Sequence, residues 1–136
     1  MVNKILAIVV TLFAATSVAA GDVFRCERTK VGRDGWISSL LFFEIDEETG
    51  AAHVHDSYTD EYHGGAIRAK LVESSAKRFR LKWTVKNVKT SNTGSVIPRV
   101  KYMATLDRKT LNLRIRVVLS GPDNRPWGEA KCKLKK

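Results

Sequence analysis

Apolar and polar side chains alternate with a period of two through most of the second half of the chain. Phe79, Leu81, Trp83 and Val85 interleave with Arg78, Arg80, Lys82, Thr84 and Lys86. Successive side chains of a strand point to opposite faces, so this stretch predicts a half-buried strand with a basic outer face. Leu111, Leu113, Ile115, Val117 and Leu119 repeat the pattern against Asn112, Arg114, Arg116 and Val118. Val100, Tyr102, Ala104 and Leu106 form a third run, with Pro98 where a strand can begin. Ile67, Ala69 and Leu71 form a fourth, opposed to Arg68 and Lys70. Residues 36–45 read as a strand that is apolar on both sides around Leu40, Leu41, Phe42 and Phe43. Shorter strands are expected over 23–28, 51–56 and 128–134, and no helical periodicity is evident after residue 20.

Residues 46–50, 73–77 and 107–110 are short and rich in turn formers, as hairpins require, and 89–96 is a longer connection. About eight consecutive strands joined this way predict an all-β antiparallel meander, closed or nearly closed into a barrel, with a β-sandwich as the alternative. Closure also removes exposed edges. The inward set includes Phe24, Phe43, Phe79, Trp83 and Tyr102, bulky enough to fill an eight-stranded interior. A small apolar-ligand carrier is the reading that would instead need a cavity there.

The first twenty residues break the pattern. Lys4, the apolar run 5–13 and the small residues Val18, Ala19 and Ala20 have the layout of a secretory signal, which makes 21–136 the single folded domain. The apolar run is too short to span a bilayer, and no later stretch is long and uncharged enough, so the product is expected to be periplasmic or secreted and not transmembrane. In such a compartment Cys26 and Cys132, near the two ends of the mature chain, are expected to form a disulfide. The bridge requires the first and last strands to lie together, which favours the barrel.

Charge sharpens the picture more by position than by total. The formal net charge is +10, from 24 Lys and Arg against 14 Asp and Glu. Residues 44–61 carry seven acids and no Lys or Arg, whereas 66–118 carry fourteen bases and only Glu73 and Asp107 as acids. If the three long strands are neighbours, Arg78, Arg80, Lys82, Lys86, Arg99, Lys101, Arg114 and Arg116 share one outer face. Like charges on adjacent strands repel, so an anionic partner is expected: lipid head groups, a cell-wall polymer or an acidic protein. Specific nucleic-acid recognition is not expected, because phosphate attraction alone is nonspecific and no stacking aromatics are evident on this face.

Two further clusters are candidates. His53, His55 and His63 fall within eleven residues beside several carboxylates, and His53 and His55 project from one strand face, so zinc or a similar divalent ion is an alternative ligand. Trp36 and Trp127 follow glycine-containing loops and suit either a recognition anchor or a cap on the core. Catalysis has no comparable signal: there is no Gly-x-Ser-x-Gly, no His-Glu-x-x-His and no phosphate-cradling glycine loop, so a non-enzymatic role is expected without a cofactor.

Cysteines near both ends of a small exported β-domain resemble the layout of the periplasmic inhibitors of c-type lysozyme. That family carries a Ser-Gly-x-x-Tyr loop. The nearest stretch here, Ser120-Gly121-Pro122-Asp123-Asn124, lacks the tyrosine, and strongly cationic lysozymes would repel a basic chain. The resemblance is one of layout and carries no site residue to this chain.

Overall fold

Eight antiparallel strands close into a barrel in simple sequence order, each hydrogen-bonded to the next and the last to the first. They are β1 (Asp22–Val31), β2 (Leu40–Asp46), β3 (Ala51–His55), β4 (Ile67–Ser74), β5 (Arg78–Lys89), β6 (Val96–Asp107), β7 (Asn112–Leu119) and β8 (Trp127–Lys135). This computed structural model describes residues 21–32, 35–91, 93–121 and 125–135. The expected signal over 1–20 and the tips of the two tryptophan loops lie outside those residues. The period-two pattern holds in the long strands: Phe79, Leu81, Trp83 and Val85 are buried, as are Val100, Tyr102, Ala104 and Leu106, and Leu113, Ile115, Val117 and Leu119, while Leu111 falls in the turn before β7 at a positive φ of 60°. Burial of this apolar inner face is the main force holding the sheet closed.

The seam between β1 and β8 pairs from Val23 opposite Lys135 to Val31 opposite Gly128, and Cys26 stands directly opposite Cys132. The two are disulfide-bonded with Cα atoms 3.9 Å apart. Inside, Trp83 stacks on Tyr102 with centroids 5.2 Å apart, Phe43 meets the Trp83 ring edge-on, and Phe24 meets Phe79 in the same way. These rings occupy the middle of the barrel, as the bulk of the inward residues predicted. The apolar inside and charged outside are the reverse of barrels that cross outer membranes. Among the described residues, no helix is long and apolar enough to cross a membrane.

Two expectations are corrected. Residues 36–39 are not strand: β2 begins at Leu40, and Trp36 takes a positive φ of 69° that breaks extended pairing. Its carbonyl instead accepts the Tyr102 hydroxyl at 2.7 Å. The apolar character on both sides of β2 is accounted for by Leu41 and Phe43 inside and a half-buried Phe42 outside, beneath His55 and the Lys135 ammonium.

The second correction is a helix, α1 (Ser57–His63), between β3 and β4. Asp56 caps it: the carboxylate accepts from the Thr59 amide at 2.8 Å, and the Asp56 amide donates back to the Thr59 hydroxyl at 3.0 Å. Gly64 ends the helix in the left-handed conformation that glycine adopts without strain. The helix packs towards β5, where the Lys89 amide donates to the Tyr62 hydroxyl. It covers one mouth of the barrel. At the other mouth Arg108 lies over the Phe79 ring, donates to the Ser75 carbonyl at 2.7 Å and pairs with Glu47 at 2.5 Å.

Candidate functional site

All eight basic residues singled out from the sequence lie on the outer wall formed by β5, β6 and β7, and all are exposed except the half-buried Arg80. Strand register fixes their neighbours. One row across five strands reads Lys70, Lys82, Met103, Arg116, Trp127, with no carboxylate in it. The row beside it reads Glu73, Arg80, Thr105, Arg114, Glu129 and contains two acids. Lys86 stands directly opposite Arg99, and Thr84, Lys101 and Val118 make a further row.

The wall is therefore less uniform than alternation alone suggests. Arg78 pairs with Glu73 at 3.4 Å and stands opposite Asp107, and Arg114 pairs with Glu129 at 3.5 Å. Asp107 itself is committed to the β6–β7 turn. Its carboxylate accepts the Thr110 and Lys109 amides, both at 2.9 Å, which holds it below the usual carboxylate range. Among the described residues, the other six basic side chains have no carboxylate partner.

Apolar side chains lie within this wall. A groove of about 780 Å³ runs over Met103 and Val118 to Trp127, with Lys82, Lys101, Arg114 and Arg116 along its sides. Val118 is 41% exposed and Trp127 40% exposed. Trp127 is held in place from several directions. Its carbonyl accepts the Gly32 amide at 2.8 Å, and the Lys30 ammonium sits 5.5 Å from its ring centroid. Its indole lies so close to Gly32 that a Cβ there would fall 2.8 Å from Nε1. The preceding Pro126 carbonyl accepts the Val117 amide, anchoring the start of β8. The expectation that this face lacks aromatics is thus corrected: an indole borders it. Trp36, by contrast, packs against the core at the α1 mouth.

The histidines are placed separately. His53 lies on the outer face of β3 between Glu44 and Arg68, and the next outward residue, His55, pairs with Asp60 at 3.5 Å. His63, at the end of α1, accepts the Lys86 amide through Nε2 at 3.2 Å. Among the described residues, no three His, Cys, Asp or Glu side chains converge as a metal centre would need.

The titratable groups that burial pushes upward cluster beneath α1. Burial pushes the Asp56 carboxyl above its ordinary range against the hydrogen bonds it accepts, and burial raises the Tyr58 and Tyr102 phenols as well. One Asp56 oxygen is buried without a partner among the described residues. These groups cap a helix and line the mouth of the barrel, and the basic wall does not reach them.

Comparison with protein-family models, curated proteins and solved structures finds no match for the chain, so the reading of the wall rests on its own geometry.

Proposed function

We propose that the protein is a non-enzymatic binding module, exported to a periplasm or secreted, that meets an anionic partner through the wall of β5, β6 and β7. The observation that carries this reading is the row of Lys70, Lys82 and Arg116, which spans four strands and holds no acid. Lys82 directly faces Lys70, and Lys86 directly faces Arg99. Directly opposed like charges are destabilising, and an approaching polyanion relieves that cost. The acidic stretch supports the reading from the other side. Its strands β2 and β3 stand across the ring from β6 and β7, so the molecule carries a charge asymmetry that turns the wall towards negative surfaces.

The test replaces Arg80, Lys82, Arg114 and Arg116 together with glutamine. Affinity is then measured over a salt series for anionic vesicles, an anionic cell-wall polymer and an acidic protein. A cation near an anionic membrane contributes about 1 kcal/mol, so four should cost about 1,000-fold in vesicle affinity. Wild-type binding should also fall steeply with salt. Affinity that is unchanged for all three partners, or indifferent to salt, refutes the proposal.

A further inference from the structure

We infer that the groove between Met103, Val118 and Trp127 is a docking site for a phosphate-bearing lipid presented by a bilayer, so that the wall binds a membrane surface in two layers: cations to the headgroups and apolar side chains to the acyl region just beneath. The inference rests on the anionic-partner reading above and specifies the partner's chemistry.

Three features of the groove support it. First, its floor is apolar where its sides are basic. Met103 lies in register between Lys82 and Arg116, and Arg116 is itself opposite Trp127. A purely electrostatic polymer site gains nothing from a floor of methionine and valine, whereas an amphiphile presents both kinds of surface at this spacing. Second, Trp127 is half in and half out of the wall, held by Gly32 and Lys30. An indole with an apolar body and a polar N–H is suited to the headgroup level of a membrane. Third, the apolar part is mainly aliphatic. Single-stranded nucleic acid would want a succession of stacking rings; Trp83 and Tyr102 also line the groove but are buried in the core, so it offers one exposed indole, already beneath the Lys30 ammonium. The groove's volume of about 780 Å³ falls in the range of small-molecule sites and suits a headgroup with the first part of its chains. Glu129 also lines the groove and pairs with Arg114, which leaves Lys82, Lys101 and Arg116, without carboxylate partners among the described residues, to match a phosphate in charge.

The experiment uses the full mature chain and five probes: phosphatidylglycerol vesicles, phosphatidylcholine vesicles, soluble polyphosphate, single-stranded DNA and a short-chain phosphatidylglycerol kept monomeric. Emission from Trp127 is isolated by subtracting the spectrum of Trp127→Phe, because Trp36 and Trp83 also emit. The expected result is a blue shift of Trp127 on phosphatidylglycerol vesicles, together with quenching by acyl-brominated lipid and no response to phosphatidylcholine. Trp127→Ala combined with Val118→Thr should lower vesicle affinity on the order of 10- to 100-fold, leaving polyphosphate binding unchanged. Gly32→Ala, which pushes the indole from its seat without removing it, should give a smaller loss of the same kind.

Equal affinity of the double variant and the wild type for vesicles overturns the inference. So does tighter binding of the monomeric lipid or of single-stranded DNA than of vesicles. Polyphosphate binding without vesicle binding sinks the lipid assignment while sparing the anionic-partner reading. Binding of neither sinks the lipid assignment and leaves the anionic-partner reading to the acidic-protein arm of its own test. Circular dichroism spectra and cooperative melting of the variants, expected to be retained because the barrel core is untouched, exclude misfolding as the cause of a loss.

Discussion

Replacing Cys26 and Cys132 together with alanine tests the physical claim on which the fold depends. The pair faces each other across the seam that closes the barrel, 106 residues apart in sequence, with exposures of 0% and 2%. A cross-link over so long a loop restricts the unfolded chain far more than the folded one, and the chain-entropy relation gives about 5 kcal/mol. The native seam keeps its own ladder of backbone pairs from Val23 to Val31, so the variant should still close. Stability should therefore fall without a change of fold. For a domain of this length a loss of that size lowers the melting temperature by about 15–20 °C. Urea unfolding of the two proteins at one temperature separates the cause. If the clasp acts on the unfolded state, the variant's chain expands further on unfolding, and its m-value rises while its midpoint falls. A loss below about 1 kcal/mol with an unchanged m-value would refute this account, because the seam would then hold without any restraint on the denatured chain.

Two smaller perturbations follow from the geometry. Burial raises the folded-state pKa of the Asp56 carboxyl, with His55 the nearby charge opposing the shift, so the folded protein binds a proton more tightly than the unfolded one. Stability should then decline as pH rises from the ordinary carboxylate range through that raised value; Asp56→Asn, which keeps a capping oxygen, should flatten that slope, whereas Asp56→Ala should cost about 1 kcal/mol through loss of the cap. Gly128→Ala should cost about 1–3 kcal/mol in thermal unfolding, since a Cβ there would lie 2.7 Å from the Ile37 Cδ1, and Ile37→Ala in the same chain should recover part of the loss.

Most of the barrel was legible because its strands are half buried. Where one face meets a core and the other meets water, sequence alternation and structure are the same fact, as in Phe79 to Val85 and Leu113 to Leu119. The helix was not legible because seven residues make too few turns for a period to show. Its signals were in the caps instead: Asp56 with Thr59 three residues later, and Gly64 after the end. The face that Trp127 takes was left open for a different reason. Cys132 must face the interior to meet Cys26, and counting back by twos puts Ala130 and Gly128 inside and leaves Glu129 and Trp127 outside. That parity was available from the disulfide alone. The acids that interrupt the wall were not, because Glu73 and Glu129 reach it only through strand register, and β4 shifts register at a bulge before Glu73.

The opposed bases also imply a measurable conflict between stability and binding. Lys70 and Lys82 face each other on β4 and β5, as do Lys86 and Arg99 on β5 and β6, and all four are exposed. If these positions were chosen for the fold, replacing them should weaken it. If they are held for a partner, the fold tolerates them at a cost, and removal should stabilise the free protein. Lys82→Gln and Arg99→Gln should each raise stability by a few tenths of a kcal/mol to about 1 kcal/mol at low salt, the range for one directly opposed pair. The gain should shrink towards zero near about 1 M salt, where the screening length falls to about 3 Å. In the same variants affinity for anionic vesicles should drop. Thermal melts across a salt series, run beside vesicle titrations, read both effects from one preparation. Variants that melt lower than the wild type, or whose gain does not depend on salt, would show that the cations serve the barrel rather than a ligand.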